Sequence, residues 1–168
     1  MQRGVFMLET YSLDTGKMID YAAKWAYSYN PDFYDFTELG GDCTNFISQC
    51  VYAGGAVMNY TPDTGWYYIA LSERAAAWTG VEFFARFVLN NRGAGPFGSL
   101  VRLRELRAGD VVQLGDRSGF YHSLLVTDIR YGIPYVTAHT YNVYNKPLTE
   151  YSYENIRCIR LNGARRYV

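Results

Sequence analysis

The sequence predicts an α+β domain in which N-terminal helices pack on a small antiparallel β-sheet. Apolar residues recur at helical spacing in the first half of the chain. The second half instead contains short segments rich in β-branched and aromatic residues, separated by Gly, Pro, Asn and Asp. Because 168 residues are enough for one hydrophobic core and few for two, we expect a single domain over residues 1–168.

The first predicted helix begins at Asp14 or Thr15, either of which can cap it. Asn30-Pro31 should end this helix, because the residue before a proline disfavours helical geometry. Its apolar positions recur with helical spacing at Met18, Ile19, Ala22, Ala23 and Ala26. The second predicted helix is the segment DCTNFISQCVYAGG, which follows a Gly-Gly turn and is closed by another Gly-Gly pair.

Residues 60–78 have no clear period and are rich in Pro, Gly, Thr and Trp, so they predict a long ordered loop. The segment from Thr79 to Glu82 then matches a capping box, which predicts a third helix through Phe84, Val88 and Leu89. The sheet should consist of strands at Val111–Leu114, His122–Ile129, Tyr135–Thr140 and Ile156–Leu161.

The composition limits the partners that the chain can attract. Sixteen basic and sixteen acidic residues give a formal net charge of zero, so nothing draws the chain toward nucleic acid or anionic lipid. No apolar run approaches the ~20 residues of a membrane span. The N-terminal segment MQRGVFMLETYSLD lacks the continuous apolar stretch of a secretory signal, so we expect no signal peptide in this chain.

Cys43 is the candidate nucleophile. It lies in the first turn of the second predicted helix, on the apolar face, where unpaired amides and the helix dipole favour a thiolate. The alternative is a buried, inert cysteine, which is a common fate for this residue type. Cys50 and Cys158 lack such a setting, so we expect structural roles for both. The three cysteines and two histidines match no common metal-ligand spacing, so we predict neither a metal nor an organic cofactor.

A thiol nucleophile needs a proton acceptor and donor, and histidine fills both roles near neutral pH. His122 opens one predicted strand and His139 lies in the next. If the connecting loop has four residues, His139 stands opposite His122 and can orient its imidazole. A three-residue loop would instead place Thr140 opposite His122, and Asn142 would become the better orienting residue. The sequence leaves both registers open.

These motifs resemble the Putative amidase domain family of papain-like cysteine hydrolases, which are related to bacterial cell-wall cysteine peptidases and CHAP amidases. The resemblance covers nearly the whole chain, and GGDCTNFISQC is its most specific part. It is carried by YAAKWAYSYNPDF, GGDCTNFISQC, GWYY, WTGVEFF, RAGDVVQL, HSLLVTDI and AHTYNVYNKPLTEY. The resemblance implies a papain-like fold, a catalytic Cys43 at a helix N-terminus and a catalytic His122 at the start of a strand.

The third catalytic position and the oxyanion hole follow from the same resemblance. Related cell-wall peptidases carry a polar residue, often His, on the adjoining strand, and His139 matches that place. Papain has Asn there, which keeps Asn142 open. Papain's oxyanion-hole Gln has no equivalent in DFTELGGD, so we assign that role to the Cys43 backbone amide and a neighbour. Asp42 is either a helix cap or part of the catalytic machinery.

The activity implied is hydrolysis of peptide or peptidoglycan-type amide bonds through a thioester on Cys43. His122 would transfer the proton, and His139 would orient the His122 imidazole. The resemblance also implies an extracellular or cell-envelope location. One alternative is an inactive descendant that binds wall polymer through its aromatic segment, at Trp66, Tyr67, Tyr68 and Trp78. Another is a transferase that hands the acyl group to an amine.

Overall fold

The computed structural model describes residues 6–168, which form four α-helices and nine β-strands in a mixed α/β arrangement. The helices are α1 (Thr15–Trp25), α2 (Cys43–Ala53), α3 (Ala76–Thr79) and α4 (Val81–Asn90). The strands are β1 (Leu8–Tyr11), β2 (Tyr68–Ala70), β3 (Glu73–Arg74), β4 (Gly95–Val101), β5 (Val111–Asp116), β6 (Gly119–Arg130), β7 (Ile133–Ala138), β8 (Val143–Pro147) and β9 (Asn155–Tyr167).

Seven strands form the main sheet, in the order β1-β9-β5-β6-β7-β8, with β4 also paired to β9. Every pairing in this sheet is antiparallel. The long strand β9 organises the sheet, because β1, β4 and β5 all pair with parts of it. Strands β2 and β3 form a separate hairpin.

The sheet has a hydrophobic cluster on each face. The larger cluster lies between the sheet and the helices and includes Phe46, Trp78 and Leu125. The second cluster includes Leu114 and Leu124. Helix α2 is buried along most of its length, from Cys43 to Val51, because it packs against β6 as well as α1 and α3. The start of α2 is therefore held at a fixed place against the sheet.

Several expectations from the sequence are confirmed. The side chain of Asp14 accepts a hydrogen bond from the Lys17 N–H at 3.0 Å and caps α1, and α2 begins at Cys43. The first helix ends earlier than expected, at Trp25. None of the helices in residues 6–168 has the length and apolarity to cross a membrane.

Other expectations were wrong. The sheet is larger than predicted, because β1 and β4 join it through β9. Residues 60–78 include the β2–β3 hairpin and most of α3. The expected capping box does not form, since Thr79 ends α3 and its Oγ1 accepts from Arg74 Nε at 3.2 Å. Gly80 is the N-cap of α4 and has no side chain to offer.

Candidate active site

Cys43 lies where the N-terminus of α2 meets β6. Thr44 Oγ1 lies 3.8 Å from the Cys43 sulfur, and the Ser123 backbone N–H is close enough to that sulfur to favour its thiolate form. The Thr44 and Ser123 hydroxyls, 2.9 Å apart, form a hydrogen bond that ties the helix end to the strand. Cys43 is only 7% exposed. The sulfur therefore sits directly beside the backbone between His122 and Ser123.

The Cys43 thiol is protonated in this environment. Burial raises its pKa above the usual range, although the hydrogen bonds from Ser123 and Thr44 act in the opposite direction. The expectation of a thiolate at the helix N-terminus is thus wrong for the closed site, because desolvation outweighs the favourable contacts. Among residues 6–168, the Cys43 backbone N–H has no backbone or side-chain acceptor, so it is free to bind a developing oxyanion.

His122 borders a cavity of about 280 Å³ that is also lined by Leu114 and Tyr151. Burial lowers the pKa of His122 to about 4, so its imidazole is neutral near pH 7. Among residues 6–168, neither ring nitrogen of His122 makes a hydrogen bond. Neither nitrogen is fully buried, because every fully buried side-chain nitrogen or oxygen in this range has a partner. The imidazole is therefore open to the cavity and able to accept a proton.

The structure makes Cys43 and His122 neighbours without joining their side chains. Within the part of the chain described, no hydrogen bond links the Cys43 sulfur to a His122 nitrogen. Successive strand residues point to opposite faces, and Ser123 already points toward Thr44 on the helix face. The His122 ring accordingly lies with Leu114 and Tyr151, whose ring centroid is 6.4 Å away.

His139 does not orient His122, which corrects the role expected from the sequence. Its Nδ1 is 2.5 Å from Asp42 Oδ2, and its Nε2 is 2.6 Å from the Trp25 carbonyl oxygen. Both ring nitrogens are thus occupied, and the ring is stacked on Phe46 with centroids 4.0 Å apart. His139 is almost fully buried on the helix side of the sheet.

The hairpin register explains this placement. Arg130 pairs with Ile133, so the turn has two residues, Tyr131 and Gly132, both with positive φ as a type I′ turn requires. A bulge between Val126 and Asp128 then shifts the register, so that Leu125 pairs with Thr137. If the same register continues beyond the pair of Leu125 and Thr137, Thr140 lies opposite His122. Asn142 does not take over either, because its Nδ2 donates to the Tyr29 hydroxyl at 3.2 Å.

Asp42 organises the turn that precedes Cys43, and it does not cap α2 with its side chain. Its Oδ1 accepts from the Phe36 N–H at 2.8 Å and from Asn45 Nδ2 at 2.9 Å. Its backbone N–H donates to Thr140 Oγ1 at 2.8 Å. Together with the His139 contact, these bonds use both carboxylate oxygens and fix the backbone immediately before the nucleophile candidate.

Proton counting defines the state of the buried pair. The Trp25 carbonyl can only accept, so His139 Nε2 carries a hydrogen. One further proton lies between Nδ1 and the Asp42 carboxylate. The pair is therefore neutral as a whole, which suits its burial. It anchors α2, α1 and the end of β7 to one another.

The sequence did not reveal the roles of Ser123 and Thr140 at this site. Thr140 and Tyr141 have φ values of 58° and 61°, a strained conformation that costs roughly 1–3 kcal/mol for each residue. This strained turn positions Thr140 Oγ1 to accept the hydrogen bond from the Asp42 N–H. The only signal for Thr140 was its place opposite His122 in one of the two registers considered.

The aromatic segment expected as an alternative polymer-binding surface lies largely in the core, since Trp66, Tyr68 and Trp78 are buried and Tyr67 is half-buried. Trp66 and Trp78 are fully buried. Their indole nitrogens donate to Ser48 Oγ and Asn45 Oδ1, both at 3.0 Å, on α2. These tryptophans therefore support the helix and cannot contact a polymer. Within residues 6–168, no group of three or more His, Cys, Asp or Glu side chains could hold a metal ion.

Fold and site together define a mixed α/β domain that holds a cysteine at a helix N-terminus against a strand carrying a histidine. The profile of the family described as Putative amidase domain matches residues 12–161, so the chain belongs to this family. The family description indicates amide hydrolysis.

The chain is also similar to the "Uncharacterized protein YhbB" of Bacillus subtilis (strain 168). The two are 34% identical over 130 residues, which covers 74% of this chain and 40% of that protein. The matched part thus spans less than half the length of this relative. No solved structure matches the chain.

Proposed function

We propose that the protein is a cysteine-dependent amide hydrolase that acts on peptide or peptidoglycan-type amide bonds. The observation that carries this proposal is the position of Cys43, at the N-terminus of a helix that the Thr44–Ser123 hydrogen bond joins to the strand carrying His122. A papain-like fold and an extracellular or cell-envelope location belong to the same proposal. The papain-like fold is supported by the chain order, in which the helix with the cysteine precedes the strand with the histidine.

The two reacting groups are neutral at rest, so the mechanism is general-base catalysis. As the sulfur attacks the carbonyl carbon, the His122 imidazole takes the thiol proton and the carbonyl oxygen becomes negative. The Cys43 backbone N–H stabilises that oxyanion. Collapse breaks the C–N bond, and His122 returns the proton to the leaving nitrogen. Water activated by His122 then hydrolyses the thioester and restores the thiol.

This chemistry requires the imidazole to turn from the cavity wall toward the sulfur. Rotation about the His122 Cα–Cβ bond alone does not carry the ring to the helix face, because His122 and Ser123 point to opposite faces of the sheet. The end of β6 that extends beyond its pairing with β7 therefore has to shift when substrate binds. Catalytic hydrogen bonds are commonly loose in unliganded enzymes and tighten when substrate binds. His139 acts in this scheme as a positioning residue, since it holds Asp42 and thereby the backbone that carries Cys43.

An inactive descendant that only binds its ligand is the second candidate. The observation that favours it is the closed site, in which the thiol is protonated and has no hydrogen bond to His122. Such a protein would retain the scaffold and the cavity but would release no amine. The polymer could not bind at Trp66 and Trp78, which are buried.

Amine release from muropeptides and from short N-acetyl peptide amides separates the candidates. We expect wild-type protein and the control variant Cys158→Ala to release amine, and Cys43→Ala to lose at least a thousandfold in rate. Cys158 is a suitable control because it is buried in the cluster on the other face of the sheet. Equal rates for Cys43→Ala and Cys158→Ala would overturn the cysteine mechanism. Transfer of the acyl group to an added amine would indicate a transferase.

A further inference from the structure

The cavity beside His122 has a single charged wall residue, Lys146. The remaining walls are mostly aromatic and aliphatic, including Leu114, Tyr141, Val143 and Tyr151, and no acidic residue lines the cavity. Within residues 6–168, no carboxylate lies within ion-pair distance of the Lys146 ammonium. A positive charge without a carboxylate partner thus lies in an otherwise uncharged pocket.

The position of the ammonium is fixed by an aromatic contact. Lys146 Nζ lies 4.4 Å from the centroid of the Tyr151 ring, and that ring is 6.4 Å from the His122 ring. The Lys146 ammonium and the His122 ring both lie near the Tyr151 ring, so the distance between them is at most the sum of these two distances. That sum is about the length of three extended residues. A small substrate can therefore contact both at once.

We propose that this cavity selects amide substrates that carry a free carboxylate, which Lys146 binds. This inference rests on the proposed hydrolysis at Cys43, since it assigns the cavity to the same substrate. A carboxylate in a pocket with apolar walls gains a charge-assisted hydrogen bond to the ammonium that water screens only weakly. The carboxylate comes either from a peptide C-terminus or from an acidic side chain.

Binding to the Cys43→Ala variant tests the inference without turnover. The probes are N-acetyl-alanyl-alanine, its C-terminal amide, and N-acetyl-glutamate α-amide, each measured by calorimetry at pH 7. We expect the free acid of the dipeptide or the glutamate derivative to bind at least tenfold more tightly than the uncharged amide. Whichever of the two acids binds more tightly identifies the source of the carboxylate.

Variants at Lys146 in the same background provide the second readout. Lys146→Met should abolish the preference for acid over amide, and Lys146→Arg should retain it. Lys24→Met is the matched control, because Lys24 Nζ also lies over an aromatic ring, Trp25, at 5.1 Å. Equal binding of acid and amide, absence of binding by all probes, or a preference that survives Lys146→Met would overturn the inference.

The outcome separates this inference from the proposed function. A protein that binds acids through Lys146 but hydrolyses no amide would remove only the hydrolase proposal. A protein that hydrolyses acids and amides equally well would remove only the carboxylate selection.

Discussion

The folded protein should lose stability as the pH falls from 7 to 5, because His122 takes up a proton more readily in the unfolded state. Burial holds the pKa of His122 at about 4 in the folded state, whereas an unfolded histidine titrates near 6.5. Between these values the unfolded state binds more protons, so stability is complete above the unfolded pKa and decreases as the pH falls. The loss is about 2 kcal/mol at pH 5 and approaches about 3 kcal/mol below pH 4.

Urea unfolding followed by tryptophan fluorescence measures this effect at pH 7, 6 and 5. The control is His122→Gln, which removes the titrating group and keeps a polar side chain of similar length. All other groups are identical in the two proteins, so the difference between the two pH profiles isolates His122. Between pH 7 and pH 5, we expect the free energy of unfolding to fall by about 2 kcal/mol more in wild type than in His122→Gln. Parallel profiles would refute the buried neutral imidazole.

Three further predictions concern stability. His139→Ala should cost about 3–5 kcal/mol in urea unfolding, because it leaves the Asp42 carboxyl buried without its partner; a loss below 1 kcal/mol would contradict this. Ser48→Ala should cost about 1–3 kcal/mol by the same measurement, since Trp66 Nε1 loses its acceptor, and an unchanged midpoint would argue against that bond. Tyr131→Asn should stabilise the protein by about 1 kcal/mol, because the fully exposed Tyr131 has a φ of 50° and Asn-Gly suits a type I′ turn; a lower melting temperature would contradict the turn assignment.

Local signals in the sequence were sufficient to predict the main helices that build the site. The Asp14 cap and the Gly-Gly pairs around DCTNFISQC are short-range features, and they correctly predicted where α1 and α2 begin. They therefore placed Cys43 at a helix N-terminus. The alternation of HSLLVTDI likewise predicted that His122 and Leu124 share one face of a strand.

Features that depend on long-range pairing could not be predicted. Strand β4 has the sequence GPFGSLV, whose Gly and Pro residues disfavour a strand, and it forms only because β9 provides its partner. The bulge near Thr127 shifts the register of β7 by one residue and has no clear signal in the sequence. That single shift moves His139 to the helix side, where it meets Asp42 from 97 positions earlier in the chain.

The burial of Cys43 also exceeded what its local sequence implied. The helix N-terminus favours a thiolate, but β6 covers the thiol and raises its pKa. The sequence predicted where Cys43 lies on its helix, and the tertiary packing raises the pKa of its thiol.

The most direct test of the central claim is mass spectrometry of the protein quenched in acid during turnover of a muropeptide. We expect an added acyl mass on the tryptic or chymotryptic fragment that contains Cys43, and we expect neutral hydroxylamine to remove it. Product formation with no adduct on that fragment, at a rate that Cys43→Ala preserves, would contradict nucleophilic catalysis by this thiol.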